Sequence, residues 1–241
     1  MLHSAPVTIA IDGPSGSGKS SVSRAVASRL GLRYLDTGAM FRALTWWCVE
    51  SGLDLDDVDL VAEAAAEMPL RMGTDPVDPA VEVDGQRVDE PLRTARISAL
   101  VSKVATNPAV RRTLAAQQRA IIAHARTDAG IVVEGRDITT VIAPEAEHRV
   151  LLSASADARL HRRASELKQR GQSQQAEDLR DQVLRRDRDD STVSAFHSPA
   201  PGVHGIDTSS LTFEESVAAV IAVVETPGVP AENPTANGGS R

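Results

Sequence analysis

The segment Gly13-Pro14-Ser15-Gly16-Ser17-Gly18-Lys19-Ser20 constrains the fold of this chain more than any other. It matches the pattern G-x-x-x-x-G-K-[ST], follows the short apolar run Val7 to Ile11 and precedes a helical pattern. In such a loop the glycines let backbone N–H groups point at phosphate oxygens, and the helix N-terminus adds a favourable dipole. The order of strand, loop and helix favours a phosphate-binding loop over the alternative, a glycine-rich turn with an exposed lysine.

The chemistry of this motif assigns a role to each of its residues. Lys19 is expected to reach the β- and γ-phosphates of ATP, and the Ser20 hydroxyl is the expected Mg²⁺ ligand. We predict that the donor nucleotide is bound by Gly13, Pro14, Ser15, Gly16, Ser17, Gly18, Lys19, Ser20 and Ser21. The motif alone does not distinguish kinases from GTPases and motor ATPases. The N-K-x-D motif that reads guanine in GTPases is absent, as is an apolar strand followed by an Asp-Glu pair.

Short apolar runs alternate with helical patterns along the chain, and this alternation predicts an α/β fold with a central parallel sheet. The runs expected to form five parallel strands are Val7 to Ile11, Leu32 to Leu35, Ile131 to Val133, Arg149 to Leu152 and Val203 to Ile206. Between about Pro69 and Val88, alternating apolar residues surround Asp84-Gly85, which predicts a β-hairpin. We therefore expect a small antiparallel insertion in the parallel domain.

Composition narrows the class of protein. A chain of 241 residues has room for one core, and the net charge of −7 argues against a general nucleic-acid binder. The single cysteine, Cys48, excludes an intramolecular disulfide, and no apolar run approaches the roughly twenty residues that span a bilayer. Since the N-terminus also lacks signal-peptide features, we expect a cytoplasmic protein with no membrane partner. Residues 226–241 lack apolar periodicity and are predicted to be a disordered tail.

A second strand end carries Leu35-Asp36-Thr37-Gly38, and here the chain resembles the bacterial cytidylate (CMP) kinases of the nucleoside monophosphate kinase family. The resemblance covers Val7 to Val224. Besides the phosphate loop and this motif, it rests on Val101-Ser102-Lys103-Val104-Ala105 with Val110-Arg111, Glu134-Gly135-Arg136-Asp137, Arg186-Asp187 with Asp190-Ser191, and Ile206-Asp207-Thr208-Ser209.

The resemblance implies a complete domain plan. It implies a P-loop three-layer sandwich with a central parallel five-stranded sheet over residues 1–225, an antiparallel monophosphate-binding insert at 68–105 and a short helical lid at 155–190. It implies that ATP, with Mg²⁺, phosphorylates CMP or dCMP. Family members with this short lid mostly act alone, so we expect a monomer.

The resemblance also assigns roles to single residues. The acceptor is expected to be bound by Thr37, Arg42, Ser102, Arg111, Arg136, Asp137, Arg186 and Asp190. Lys19, Arg136, Arg159 and Arg163 are the expected catalytic residues, the last two as lid arginines that swing onto the donor phosphates together with Arg162. Ionised Asp137 can only accept hydrogen bonds, so it would favour the cytosine amino group over the uracil carbonyl.

Several of these residues have simpler explanations, which stay open at this stage. Arg42 fits a solvated helix arginine, Ser102 an ordinary helix serine, and Arg186 with Asp190 a surface i,i+4 pair. The lid arginines fit a solvated basic face.

One segment departs from the family pattern, since Val193 stands where the family has an arginine three residues after the aspartate. This departure leaves open a nucleotide-binding regulatory module without turnover. A kinase for another monophosphate or small metabolite also stays open, because P-loop architecture tolerates many acceptors.

Overall fold

A computed structural model describes residues 6–169, 188, 192, 194 and 198–226, with only the backbone at 166–169. The strands of the large sheet are β1 (Thr8–Asp12), β2 (Arg33–Asp36), β6 (Ile131–Gly135), β7 (His148–Ser153) and β8 (His204–Asp207). They run parallel in the order β2-β6-β1-β7-β8, which confirms the predicted five-stranded parallel sheet. The α-helices of the described residues are α1 (Lys19–Leu30), α2 (Thr37–Glu50), α3 (Val58–Glu67), α4 (Ala95–Ala105), α5 (Pro108–Ala125), α6 (Ala156–Gln169) and α7 (Phe213–Glu225).

The central strands are apolar on both sides because helices cover both faces of the sheet. Ile9 and Ile11 of β1 pack in a core formed with α1 and α7, whereas Ala10 packs in a second core formed with α2 to α5. This alternation gives three layers, helix, sheet and helix. Because all five strands are parallel, their carboxyl ends meet at one edge of the sheet, where ligands bind in open α/β folds.

The helix starts follow from local capping chemistry. Asp36 accepts a hydrogen bond from Ala39 N at 2.9 Å and caps α2, and Asn107 caps α5 ahead of Pro108. The predicted capping box of Thr212 and Glu215 is present at α7. In the described residues none of the helices has an apolar stretch long enough to cross a membrane.

A second, antiparallel sheet is formed by β3 (Leu70–Met72), β4 (Val81–Val83) and β5 (Gln86–Arg87). Its β4–β5 turn is the predicted Asp84-Gly85 hairpin, with both residues at positive φ. The connection at 73–80 docks on the edge of the large sheet, where Tyr34 N of β2 donates to Thr74 O at 2.9 Å. Arg24 of α1 holds the same connection by donating to Pro76 O and Val77 O, each at 2.9 Å. The small sheet is thus anchored beside the phosphate loop.

Candidate active site

The phosphate loop at 13–18 joins β1 to α1, and its glycines are there for steric reasons. Gly16 and Gly18 have φ values of 80° and 87°, in the left-handed region that side chains with a Cβ rarely adopt. A Cβ at Gly13 would lie 2.2 Å from the carbonyl oxygen of Leu152 in β7. The loop therefore needs glycine at positions 13 and 16 to pack against β7 and α6, and at position 18 to adopt its left-handed backbone.

Arginines hold the backbone carbonyls of alternate residues in this loop. The three contacts are Arg136 Nη1 to Gly13 O at 2.7 Å, Arg159 Nη1 to Ser15 O at 3.1 Å, and Arg162 Nη1 to Ser17 O at 3.2 Å. Arg136 comes from the turn after β6, and the other two come from α6. Long-range contacts to cationic donors thus set the loop backbone.

Glu134, near the end of β6, is a buried carboxylate beside the start of α1. Tyr34 Oη donates to Glu134 Oε1 at 2.7 Å, Ser20 hydrogen-bonds to the same carboxyl, and Lys19 Nζ lies 3.9 Å from Glu134 Oε2. Burial raises the pKa of Glu134 above its usual range, and the neighbouring Asp36 carboxylate adds to the rise. Sequence reasoning assigned no role to Tyr34 or Glu134. For Glu134 the available signal was its place at the carboxyl end of an apolar parallel strand.

The start of α2 brings two predicted acceptor residues to the same strand ends. Thr37 Oγ1 donates to Glu134 O at 2.8 Å, and Arg42 Nη2 lies 2.7 Å from Asp36 Oδ2. Burial opposes ionisation of Asp36, but Arg42 and the Ala39 N–H outweigh it, so the pKa of Asp36 is lowered. Arg42 is therefore held by a carboxylate toward the cavity and is not a freely solvated arginine.

Asp137 and Arg111 form an ion pair between the turn after β6 and the start of α5. Arg111 also donates from Nη1 to Ala105 O at 3.2 Å and from Nη2 to Ser194 Oγ at 3.3 Å. Burial raises the pKa of Asp137 above its usual range, although the Arg111 charge opposes the rise. The pair presents a cation and a hydrogen-bond acceptor side by side.

These groups line a single cavity of about 560 Å³. The predicted residues that line it are Ser15, Gly16, Gly18, Lys19, Ser20, Ser21, Thr37, Arg42, Arg111, Arg136, Asp137 and Arg163. Gly13, Pro14, Ser17, Ser102 and Arg159 do not line it. Ser102 lies on α4, whereas Ser98, one turn earlier, faces the cavity. Arg186, Asp190 and Val193 lie outside the described residues.

The lining is cationic although the whole chain is anionic. In the described part of the chain, seven basic side chains face the cavity, against four acidic ones. The basic residues are Lys19, Arg24, Arg42, Arg93, Arg111, Arg136 and Arg163, and the acidic residues are Asp36, Asp89, Glu134 and Asp137. Arg24, Arg93 and Asp89 carried no motif, so sequence reasoning missed them. A cavity of this size and charge suits phosphorylated ligands.

The donor groups near Ser20 fit a magnesium ion that arrives with a nucleotide. No cluster of three or more histidine, cysteine or acidic side chains suited to a metal occurs among the described residues. Mg²⁺ usually keeps several waters and binds through one or two carboxylates plus substrate phosphates. The Ser20 hydroxyl, hydrogen-bonded to Glu134 with Asp36 close by, matches that donor set.

Comparisons with known proteins agree with this geometry. A sequence-family model described as "Cytidylate kinase" matches residues 9–226. The chain is 43% identical to a cytidylate kinase of Streptomyces avermitilis over 91% of this chain and 93% of that one. It is 45% identical to a cytidylate kinase of Cutibacterium acnes over 92% of this chain and 98% of that one. A crystal structure of an uncharacterized protein from Eubacterium ventriosum, at 12% identity and a TM-score of 0.51, covers 91% of this chain and 99% of that one and shares the fold.

Proposed function

The chain belongs to the cytidylate kinase family, and from that premise we propose that it transfers the γ-phosphate of ATP to CMP or dCMP. The observation that carries the proposal is one cavity that joins the donor loop at Lys19 to Arg42, Arg136 and the Arg111–Asp137 pair. The products are ADP and CDP or dCDP.

The transfer needs little proton chemistry from the protein. An oxygen of the acceptor phosphate attacks the γ-phosphorus, a new P–O bond forms, and the bond to the β,γ-bridging oxygen breaks as ADP leaves. The acceptor phosphate is largely a dianion at neutral pH, because its second pKa is about 6. The work of the site is therefore to align two polyanions and to stabilise the charge on the transferring group.

Each side of the cavity has its own task in this proposal. On the donor side the loop N–H groups and Lys19 bind the β- and γ-phosphates, and Arg163 faces the same cavity. On the acceptor side Arg42 and Arg136 bind the monophosphate beside Thr37. Ser20 would hold Mg²⁺, and the ion would supply positive charge that offsets the charge of the phosphates.

Base selection is assigned to Asp137 and Arg111. The carboxylate accepts from the cytosine amino group, and it has no donor to offer the uracil carbonyl at the same position. A buried mismatch of this kind discriminates strongly between ligands of similar shape. Ser102 and, outside the described residues, Arg186 and Asp190 remain proposed acceptor contacts.

We also propose that the enzyme acts as a cytoplasmic monomer. One chain supplies both the donor loop and the acceptor arginines of the cavity, which supports action by a single subunit. Sedimentation of the protein with and without both nucleotides tests this, and a dimer would contradict it.

A coupled assay of ADP release tests the function with a panel of CMP, dCMP, UMP, AMP and GMP. We expect release with CMP and dCMP well above release with the other three nucleotides. A preference for AMP or GMP would overturn the assignment, as would ATP binding without ADP release for any acceptor.

A further inference from the structure

The Arg162 side chain on α6 donates hydrogen bonds to backbone carbonyl oxygens and to one hydroxyl oxygen. Its Nη1 donates to Ser17 O at 3.2 Å and to Thr208 Oγ1 at 3.0 Å. Its Nη2 donates to Thr208 O and to Leu211 O, the latter at 3.4 Å. One guanidinium thus joins α6 to the phosphate loop and to the connection between β8 and α7.

Thr208 completes this junction from inside the protein. Its side chain is fully buried, and its hydroxyl lies 3.1 Å from Ser17 O and 3.0 Å from Ser153 O at the end of β7. The Ser17 carbonyl therefore accepts from Arg162 and is also within reach of the single Thr208 hydroxyl proton, which Ser153 O shares. Contacts of this kind fix a backbone group more firmly than a single exposed hydrogen bond does.

Peptide planarity carries this constraint into the cavity. In a trans peptide the carbonyl of one residue and the N–H of the next point in opposite directions. Arg162 holds the Ser17 carbonyl, so it also fixes the direction of the Gly18 N–H, and Gly18 lines the cavity. Arg159 holds the Ser15 carbonyl and fixes the Gly16 N–H in the same way. Such inward N–H groups are what a phosphate loop offers to the donor.

Arg162 differs in this respect from its neighbour in the sequence. Arg163 lines the cavity, whereas Arg162 does not. To reach a phosphate, Arg162 would have to give up its hydrogen bonds to Ser17, Thr208 and Leu211. Its place in the structure therefore suits a fixed support better than a swinging lid arginine.

We propose that Arg162 is a positioning residue that keeps the donor loop in its phosphate-binding shape through the Ser17 carbonyl, and that it does not contact the γ-phosphate itself. This inference rests on the proposed donor site but not on the identity of the acceptor. It is therefore tested by measuring the binding of ATP and ADP in the absence of CMP. Because no acceptor is present, a wrong acceptor assignment would not change the result of this test.

The test compares Arg162→Ala with the wild type by calorimetric titration of ATP and of ADP, each with Mg²⁺. A loop support predicts that both nucleotides bind about tenfold more weakly, because both use the same loop N–H groups. The ratio of the two dissociation constants should stay unchanged. A loss confined to ATP would show direct contact with the γ-phosphate and overturn the proposal. Unchanged binding of both nucleotides, even with a lowered melting temperature, would reduce Arg162 to a stability role and overturn it too.

Two further variants and a control make the result specific. Arg162→Lys keeps a charged donor near Ser17, so it should recover part of the lost affinity, and it carries the test if the alanine variant does not fold. Thr208→Val removes the second donor at Ser17 O and should weaken both nucleotides together. His161→Ala, at the exposed adjacent position, should bind both like the wild type. Full affinity in both Arg162→Lys and Thr208→Val would contradict the proposal.

Discussion

Asp137 is ion-paired with Arg111, and both side chains line the same cavity as the phosphate loop. An ionised aspartate accepts hydrogen bonds only, whereas an asparagine both accepts and donates. The first prediction follows from this difference. Asp137→Asn should lower the preference for CMP over UMP, taken as the ratio of kcat/KM values, by about 10- to 100-fold.

The control for Asp137→Asn is Asp128→Asn, which removes an exposed carboxylate paired with Arg33 away from the cavity. It should leave the ratio as it is in the wild type. An unchanged ratio in Asp137→Asn would remove Asp137 from base selection.

Lys19 lies 3.9 Å from the buried Glu134 and faces the donor side of the cavity. Lys19→Ala should reduce kcat by about 10²- to 10³-fold, since one preorganised charge near the transferring group is lost. The loss should be equal for CMP and dCMP because the lysine acts on the donor. Steady-state kinetics with both acceptors measures it. Lys103→Ala, which breaks an exposed pair with Asp56, is the matched control and should keep wild-type rates.

Gly16 combines a positive φ with close packing against α6. An added Cβ would lie 3.1 Å from Arg159 Cβ and 3.2 Å from Arg159 O. Gly16→Ala should therefore distort the loop and raise the KM for ATP by about tenfold or more, with little change in the KM for CMP. Gly31→Ala provides the control, because its φ is also positive but no atom lies within 4 Å. Gly31→Ala should lower the free energy of unfolding by about 1 kcal/mol and leave the KM for ATP unchanged. An equal rise in the KM for ATP in Gly16→Ala and Gly31→Ala would contradict the role of Gly16 in the loop.

Glu147 supports a pH prediction remote from the cavity. It accepts from Thr8 N at 2.8 Å and from Arg126 Nη2 at 2.7 Å. Burial opposes ionisation, but these hydrogen bonds outweigh it and lower the pKa of Glu147 below 4.5. At a pH between the folded pKa and the unfolded pKa of 4.5, the unfolded chain binds more protons than the folded chain. The contribution of Glu147 to the free energy of unfolding is therefore fully present above pH 4.5, and it is lost as the pH falls through the folded pKa.

Urea unfolding of Glu147→Gln across this pH range measures the contribution. We expect a deficit of about 1 kcal/mol or less at neutral pH, because the pair is partly exposed, and a deficit that shrinks in acid. A deficit that grows in acid would contradict the direction of the pKa shift.

The strands, turns and helix caps that depend on neighbouring residues could be predicted from the sequence. All five strands of the large sheet are confirmed within one or two residues, because each is a short apolar run between helical patterns. The predicted Asp84-Gly85 turn and the predicted caps at Asn107 and Thr212 are also confirmed, because turns and caps depend on neighbouring residues.

The contacts that shape the cavity could not be predicted in this way. Tyr34 donates a hydrogen bond to Glu134, 100 residues away in the sequence, and Arg162 donates one to Ser17 O, 145 residues away. A backbone carbonyl is present at every position, so no sequence signal marks the one that an arginine will bind. Asp12 illustrates the same limit, since it accepts hydrogen bonds from Ile138 N and Thr139 N and so fixes a π-helical turn that no local pattern indicated.

The docking of the 73–80 connection on β2 has a consequence for solubility. β2 is an outer strand of the large sheet, and an outer strand with free N–H and C=O groups invites pairing with a second chain. The hydrogen bond from Tyr34 N to Thr74 O, with Arg24 clamping the same connection, covers part of that edge. The connection between β3 and β4 thereby also shields the sheet against edge-to-edge aggregation.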